Sequence, residues 1–102
     1  MISTNMDVEI DEKIKIKVTE PSMYKVIFLN DNSTPMDFVI EILTSVFRHS
    51  EETARDITME VHESGSSVVG IYTFEIAEQK AVEATAMSRS HGFPLQIKVE
   101  QE

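Results

Sequence analysis

One stretch constrains this chain more than any other: Met23 to Phe47, MYKVIFLNDNSTPMDFVIEILTSVF. It opens with seven residues of which only Lys25 is polar. Tyr24, Val26 and Phe28 alternate with Met23, Ile27 and Leu29, so an extended chain here is apolar on both faces. That suits a central strand better than an edge. Asn30-Asp31-Asn32-Ser33 follows, and Asn and Asp favour turns because they bond to nearby backbone. Thr34 then offers an N-cap, Pro35 an N1 proline and Asp37 an approximate capping box. The spacing predicts a helix from Pro35 to about Arg48. Phe38, Val39, Ile40, Ile42, Leu43, Val46 and Phe47 make most of its circumference apolar. One buried stripe needs less, so this helix must pack on a sheet and against a second element.

The next segment supplies that element. Ser50 is a cap, Glu51 and Glu52 lie in a first turn of favourable dipole sign, and Gly65 is a stop. Ala54, Ile57, Thr58 and Val61 recur at helical spacing, with His62 at the C-terminal end. SSVVGIYT, Ser66 to Thr73, is rich in β-branched and aromatic residues and reads as a strand. Thr73 caps a third helix that runs to about His91 and stops at Gly92. Its inner face is Ile76, Ala77, Ala81, Ala84 and Met87; its outer face carries Glu75, Glu78, Lys80 and Glu83. After Pro94, Leu95 to Glu100 alternates as a strand with one wet face. The order β-α-α-β-α-β predicts an α+β domain of two layers: a three-stranded antiparallel sheet with three helices on one face.

The chain has 102 residues, 41% of them hydrophobic, enough for one domain with a modest core. This core domain spans 21–102. Residues 1–20 are polar and charged, with no turn chemistry, and read as a mobile N-terminal extension. The formal net charge of −9 argues against phosphate backbones and anionic membranes and favours basic or cationic partners. There is no cysteine, hence no disulfide, thiolate metal site or thiol nucleophile. No apolar run approaches the roughly 20 residues of a membrane helix, and the N-terminus lacks the form of a signal peptide. A cytoplasmic protein without nucleic-acid or membrane partners is expected.

Three polar groups can converge beside the first helix: Asn30, Asp31 and His62. Around them stand Met36, Val39, Thr58, Val61 and Leu95. An anionic carboxylate, an amide oxygen and an imidazole nitrogen are all acceptors. A set of acceptors suits a donor-rich cation, and an α-amino group is mostly protonated near neutral pH. With an apolar pocket next to it, the set reads as a receptor for a free N-terminus whose first residue is large and hydrophobic. Met36 at the lip would crowd a β-branched side chain. The plain reading stands beside this one: Asn30 and Asp31 as turn residues, His62 as a residue at a helix C-terminus, Met36 and Val39 as core. His49 and His91 read as solvent-facing helix ends. Three scattered histidines without cysteine make no metal site, and no cofactor motif is present. A hydrolase built on His62 and Asp31 would lack a recognisable nucleophile or oxyanion motif, so no enzymatic activity is expected.

These residues also carry a family likeness. PSMYKVIFLNDNSTPMDFV, then Val61-His62 before a glycine turn, then GIYTFEIAEQK from Gly70 to Lys80, then HGFPL from His91 to Leu95, resemble the ClpS family in order. That family comprises N-end-rule adaptors of the ClpA/ClpP protease, and the likeness covers about Pro21 to Glu100. It implies that Asn30, Asp31 and His62 contact the α-amino group of a degron. It implies that Thr34, Met36, Val39, Val61 and Leu95 form the hydrophobic pocket or its rim, with Thr58 where many members carry methionine. It implies that Glu75 and Lys80 dock on the N-terminal domain of a ClpA-type unfoldase, and that the N-terminal extension is engaged during hand-over. A monomer is implied. The expected function is delivery of substrates beginning with Leu, Phe, Tyr or Trp. The alternative is an interaction domain that modulates an AAA+ unfoldase without binding N-degrons. Two departures, Asn32-Ser33 in the loop and Thr58, predict an altered ranking among those four residues.

Overall fold

The computed structural model describes residues 20–102. The expected extension over 1–20 therefore lies, apart from Glu20, outside the described residues. The elements are β1 (Met23–Leu29), α1 (Met36–Ser45), α2 (Glu51–Ser64), β2 (Ser66–Thr73), α3 (Phe74–Ser90) and β3 (Gln96–Gln101). The sheet order is β2-β1-β3 with both pairings antiparallel. The strand that is apolar on both faces is thus the central one.

Val26 and Phe28 of β1 are fully buried and meet Ile42 and Leu43 of α1, Ala54 and Val61 of α2, and Ala77 and Ala84 of α3 in one continuous core. The helices share that face of the sheet. On the opposite face, Lys25, Ile27 and Leu29 keep partial exposure. The β1–β2 register shifts between Val26, opposite Gly70, and Ile27, opposite Val68. Val69 is the extra residue of this bulge, and its side chain is buried. Half-buried His49 donates from Nε2 to the Val69 carbonyl at 2.6 Å, so the expectation of a solvent-facing His49 does not hold. A carbonyl only accepts, which places the proton on Nε2.

Both glycine stops behave as expected. Gly65 has φ 93, and its N–H donates to the Val61 carbonyl. Gly92 has φ 80. Left-handed backbone at a helix end costs glycine nothing sterically. Ser50 caps α2 by accepting from the Thr53 N–H at 3.1 Å.

The first helix departs from expectation at both ends. Pro35 occupies the N-cap position, no side chain caps the helix, and the Thr34 hydroxyl is engaged elsewhere. The helix stops at Ser45 rather than near Arg48. Arg48 takes a left-handed conformation with φ 61, and the His49 N–H reaches back to the Leu43 carbonyl. Val46 and Phe47 still enter the core, so their apolar character was no sign of continuing helix. On α3, Ile76 is 46% exposed while Ser88 is fully buried. Ser88 tolerates burial because its hydroxyl donates to the Ala84 carbonyl at 2.9 Å. Lys80 turns inward from the expected outer face. Its Nζ donates to the Val46 carbonyl at 2.9 Å and lies 5.5 Å from the centre of the Tyr72 ring.

Candidate functional site

The site forms where β1 ends and α2 ends. The Asn30 N–H donates to the Gly65 carbonyl at 2.9 Å, which ties the strand terminus to the turn that closes α2. His62 lies three residues before that turn and is exposed, as is Asn30. The chain then folds tightly around Asp31. Its Oδ1 accepts the N–H groups of Ser33 and Thr34, both at 2.7 Å. Its Oδ2 accepts the Thr34 hydroxyl at 2.8 Å. This is why Thr34 does not cap α1: its hydroxyl orients the carboxylate instead.

Burial raises the pKa of Asp31. The hydrogen bonds from the Ser33 and Thr34 backbone and the Thr34 hydroxyl, together with the charge of Arg89, outweigh it and hold the carboxyl below its ordinary value. Asp31 is only half-buried. A carboxylate has about four acceptor positions, and three bonds are made here, so Oδ2 keeps one acceptor direction. The result is a fixed anion with room for one further donor.

Met36, Asp37, Ile40, Arg55, Thr58 and Met59 line a cavity of about 370 Å³ between α1 and α2. Met36 and Met59 remain 38% and 43% exposed at its walls, and methionine adapts readily to a ligand surface. Thr58 is buried, and its Oγ1 donates to the Ala54 carbonyl at 2.7 Å. The hydroxyl is therefore satisfied within its own helix, and the shorter side chain leaves space. Val39, Val61 and Leu95 lie in the core rather than on this cavity; each is at most 5% exposed.

Of the expected pocket residues, the structure brings Met36 and Thr58 onto one cavity and places Val39, Val61 and Leu95 within the packed interior. The cavity residues missed from sequence are Asp37, Ile40, Arg55 and Met59. Their signal was present: residues 36, 37 and 40 share one side of α1, and 55, 58 and 59 share one side of α2. Of the expected docking pair, Glu75 is exposed at the start of α3 and Lys80 is half-buried. Among the described residues, no group of three or more His, Cys, Asp or Glu side chains is placed to hold a metal. No described helix is long and apolar enough to cross a membrane.

Residues 19–98 match the family model described as ATP-dependent Clp protease adaptor protein ClpS. The ClpS adapter of Campylobacter jejuni strain RM1221 is 50% identical over 86 residues, covering 84% of this chain and 90% of that protein. The ClpS 2 adapter of Agrobacterium fabrum is 43% identical over 102 residues, covering 100% of this chain and 99% of its own. The solved structure of Agrobacterium tumefaciens ClpS2 bound to L-phenylalaninamide superposes with a TM-score of 0.79 at 47% identity, covering 81% of this chain and all of that one.

Proposed function

This chain belongs to the ClpS family of Clp protease adaptors, and on that ground we propose that it binds proteins through a free N-terminus bearing Leu, Phe, Tyr or Trp. It hands them to a ClpA-type AAA+ unfoldase for degradation by ClpP, making and breaking no bond itself. The Asp31 carboxylate, held by Ser33 and Thr34 and with one acceptor direction open, is the observation that carries this reading. Asp31 takes one N–H of the substrate ammonium, the Asn30 amide oxygen takes another, and an imidazole nitrogen of His62 accepts a third.

The first side chain enters between α1 and α2. Met36 and Thr58 meet it at the cavity, Thr34 stands at the rim, and Val39, Val61 and Leu95 back the wall. L-phenylalaninamide, bound by the Agrobacterium relative, has both a free α-amine and a large apolar side chain, the two features this arrangement requires. Burying a Leu or Phe side chain contributes about 1.5–3 kcal/mol, and each charge-assisted hydrogen bond about 1.5–3 kcal/mol. Less the costs of association, such terms reach roughly micromolar affinity. Glu75 and Lys80 belong to the surface that meets the N-terminal domain of the unfoldase, and residues 1–20 are the part the unfoldase engages at hand-over. The protein acts as a monomer in the cytoplasm.

Fluorescence-anisotropy titration with two labelled peptides, differing only in Leu or acetyl-Leu at the first position, tests the reading. Binding of the free-amine peptide alone is expected. Equal binding of both, or of neither, would overturn it.

A further inference from the structure

Arg89 sits in the last turn of α3. Beyond it the helix closes with a pair of backbone bonds: the Gly92 N–H donates to the Arg89 carbonyl and the Phe93 N–H to the Ser88 carbonyl, each at 2.9 Å. This Schellman closure depends on the left-handed Gly92. It turns Phe93-Pro94-Leu95 back across the helix end. Nη1 of Arg89 then donates to the Phe93 carbonyl at 2.9 Å and to the Leu95 carbonyl at 3.0 Å. A single guanidinium nitrogen therefore gathers both ends of the three-residue loop.

The same loop is joined to α1, the helix that carries Met36 and Val39. The Phe38 ring packs against Phe93 at 4.8 Å and against His91 at 4.9 Å between centroids. Leu95, 1% exposed, takes its place from this backbone. Arg89 is also near enough to Asp31 for its charge to act on that carboxyl. Arg55 and Lys98 pair with carboxylates at 3.2 Å, whereas the hydrogen bonds of Arg89 go to backbone carbonyls.

We propose that Arg89 is a positioning residue of the first-residue pocket: by holding the Phe93 and Leu95 carbonyls together it sets Leu95 in the core that backs the pocket, and with it the choice among large hydrophobic first residues. The inference rests on the N-terminal-residue reading of the site. Arg89 acts through Leu95 and touches no substrate atom. A planar guanidinium has a fixed donor geometry that a lysine ammonium lacks, although lysine keeps the charge and can still donate. Glutamine keeps a donor but loses both the charge and the reach.

The experiment uses the full chain as wild type, Arg89→Gln and Arg89→Lys. Peptides beginning with Leu, Phe and acetyl-Leu are titrated, and thermal unfolding is followed alongside. In Arg89→Gln the Leu-to-Phe affinity ratio is expected to shift about tenfold, the scale on which a hydrophobic pocket discriminates by one methylene of fit. The preference for a free amine stays, and Arg89→Lys returns the ratio toward wild type. An unchanged ratio in Arg89→Gln, whether affinity holds or falls uniformly with the unfolding midpoint, overturns the proposal. So does a shifted ratio that Arg89→Lys does not move back. Wild type binding Leu and acetyl-Leu peptides alike would overturn the reading of the site itself, a result distinct from either.

Discussion

Thr34 is bound to Asp31 twice, its backbone N–H donating to Oδ1 at 2.7 Å and its hydroxyl to Oδ2 at 2.8 Å. Thr34, which leads into α1, is therefore the residue that aims the carboxylate. Thr34→Val keeps the shape and the backbone bond but removes the hydroxyl donor. Hydrogen bonds to charged groups contribute about 1.5–3 kcal/mol, and partial exposure places this one below that range. Urea unfolding should show a loss of roughly 1 kcal/mol. Peptides with a free amine should bind less tightly, because the carboxylate is no longer fixed. Unchanged binding and stability would show that the backbone donors alone orient Asp31.

Acid should remove the contribution of Asp31. Its folded pKa is held below the ordinary value of 3.8, so the folded state binds the proton less readily than the unfolded chain. The stabilisation is then complete above about 3.8 and disappears as pH falls through the lower folded value. Asp31→Asn should be less stable than wild type near neutrality, and the difference should close only under strongly acidic conditions. Urea titrations of both proteins at stepped pH check this. A gap that widened on acidification would reverse the assigned sign.

Asp31→Ala should separate the two surfaces. Peptide binding is expected to be lost while binding to an isolated N-terminal domain of the unfoldase persists. Loss of both in a protein that still unfolds cooperatively would mean that the two surfaces are not independent.

Thr58→Met places a longer side chain beside the cavity of about 370 Å³ lined by Met36, Ile40 and Met59. Because the wild-type hydroxyl is satisfied by the Ala54 carbonyl within α2, its loss strands no other side chain. Any overpacking would cost about 1–3 kcal/mol, tempered here by the open space. The expected result is a changed affinity ranking among Leu, Phe, Tyr and Trp peptides. An identical ranking would show that Thr58 does not shape the pocket.

Lys80 holds the Val46 carbonyl just beyond α1 while lying beside the Phe47 and Tyr72 rings. Lys80→Met should therefore destabilise the fold by about 1–3 kcal/mol, since a half-buried carbonyl loses its donor. Exposed Glu75→Ala should leave stability within about 0.5 kcal/mol. If both variants weaken docking, only the Glu75 effect reports on the surface alone. A Lys80→Met protein as stable as wild type would show that the Val46 bond contributes nothing net.

Much of the fold was legible because its signals are local. The alternation of Tyr24, Val26 and Phe28, the Ser50 cap and the stops at Gly65 and Gly92 each act within a few residues. The turn at Asn30-Asp31 was equally legible, and its Asn30 N–H meets the Gly65 carbonyl that closes α2. Other features depended on groups distant in sequence. Lys80 was read outward because its partner, Val46, lies 34 residues away. His49 was read outward because the carbonyl it meets belongs to a bulge 20 residues later.

The sequence by itself determined the order of the elements and the central place of β1, since propensity, capping and alternation are encoded residue by residue. Tertiary structure alone decided that Thr34 serves Asp31 rather than α1 and that Arg89 gathers the Leu95 loop. Those choices turn on which polar groups packing brings within hydrogen-bond reach, and a buried or half-buried polar group takes the partner that the folded chain provides.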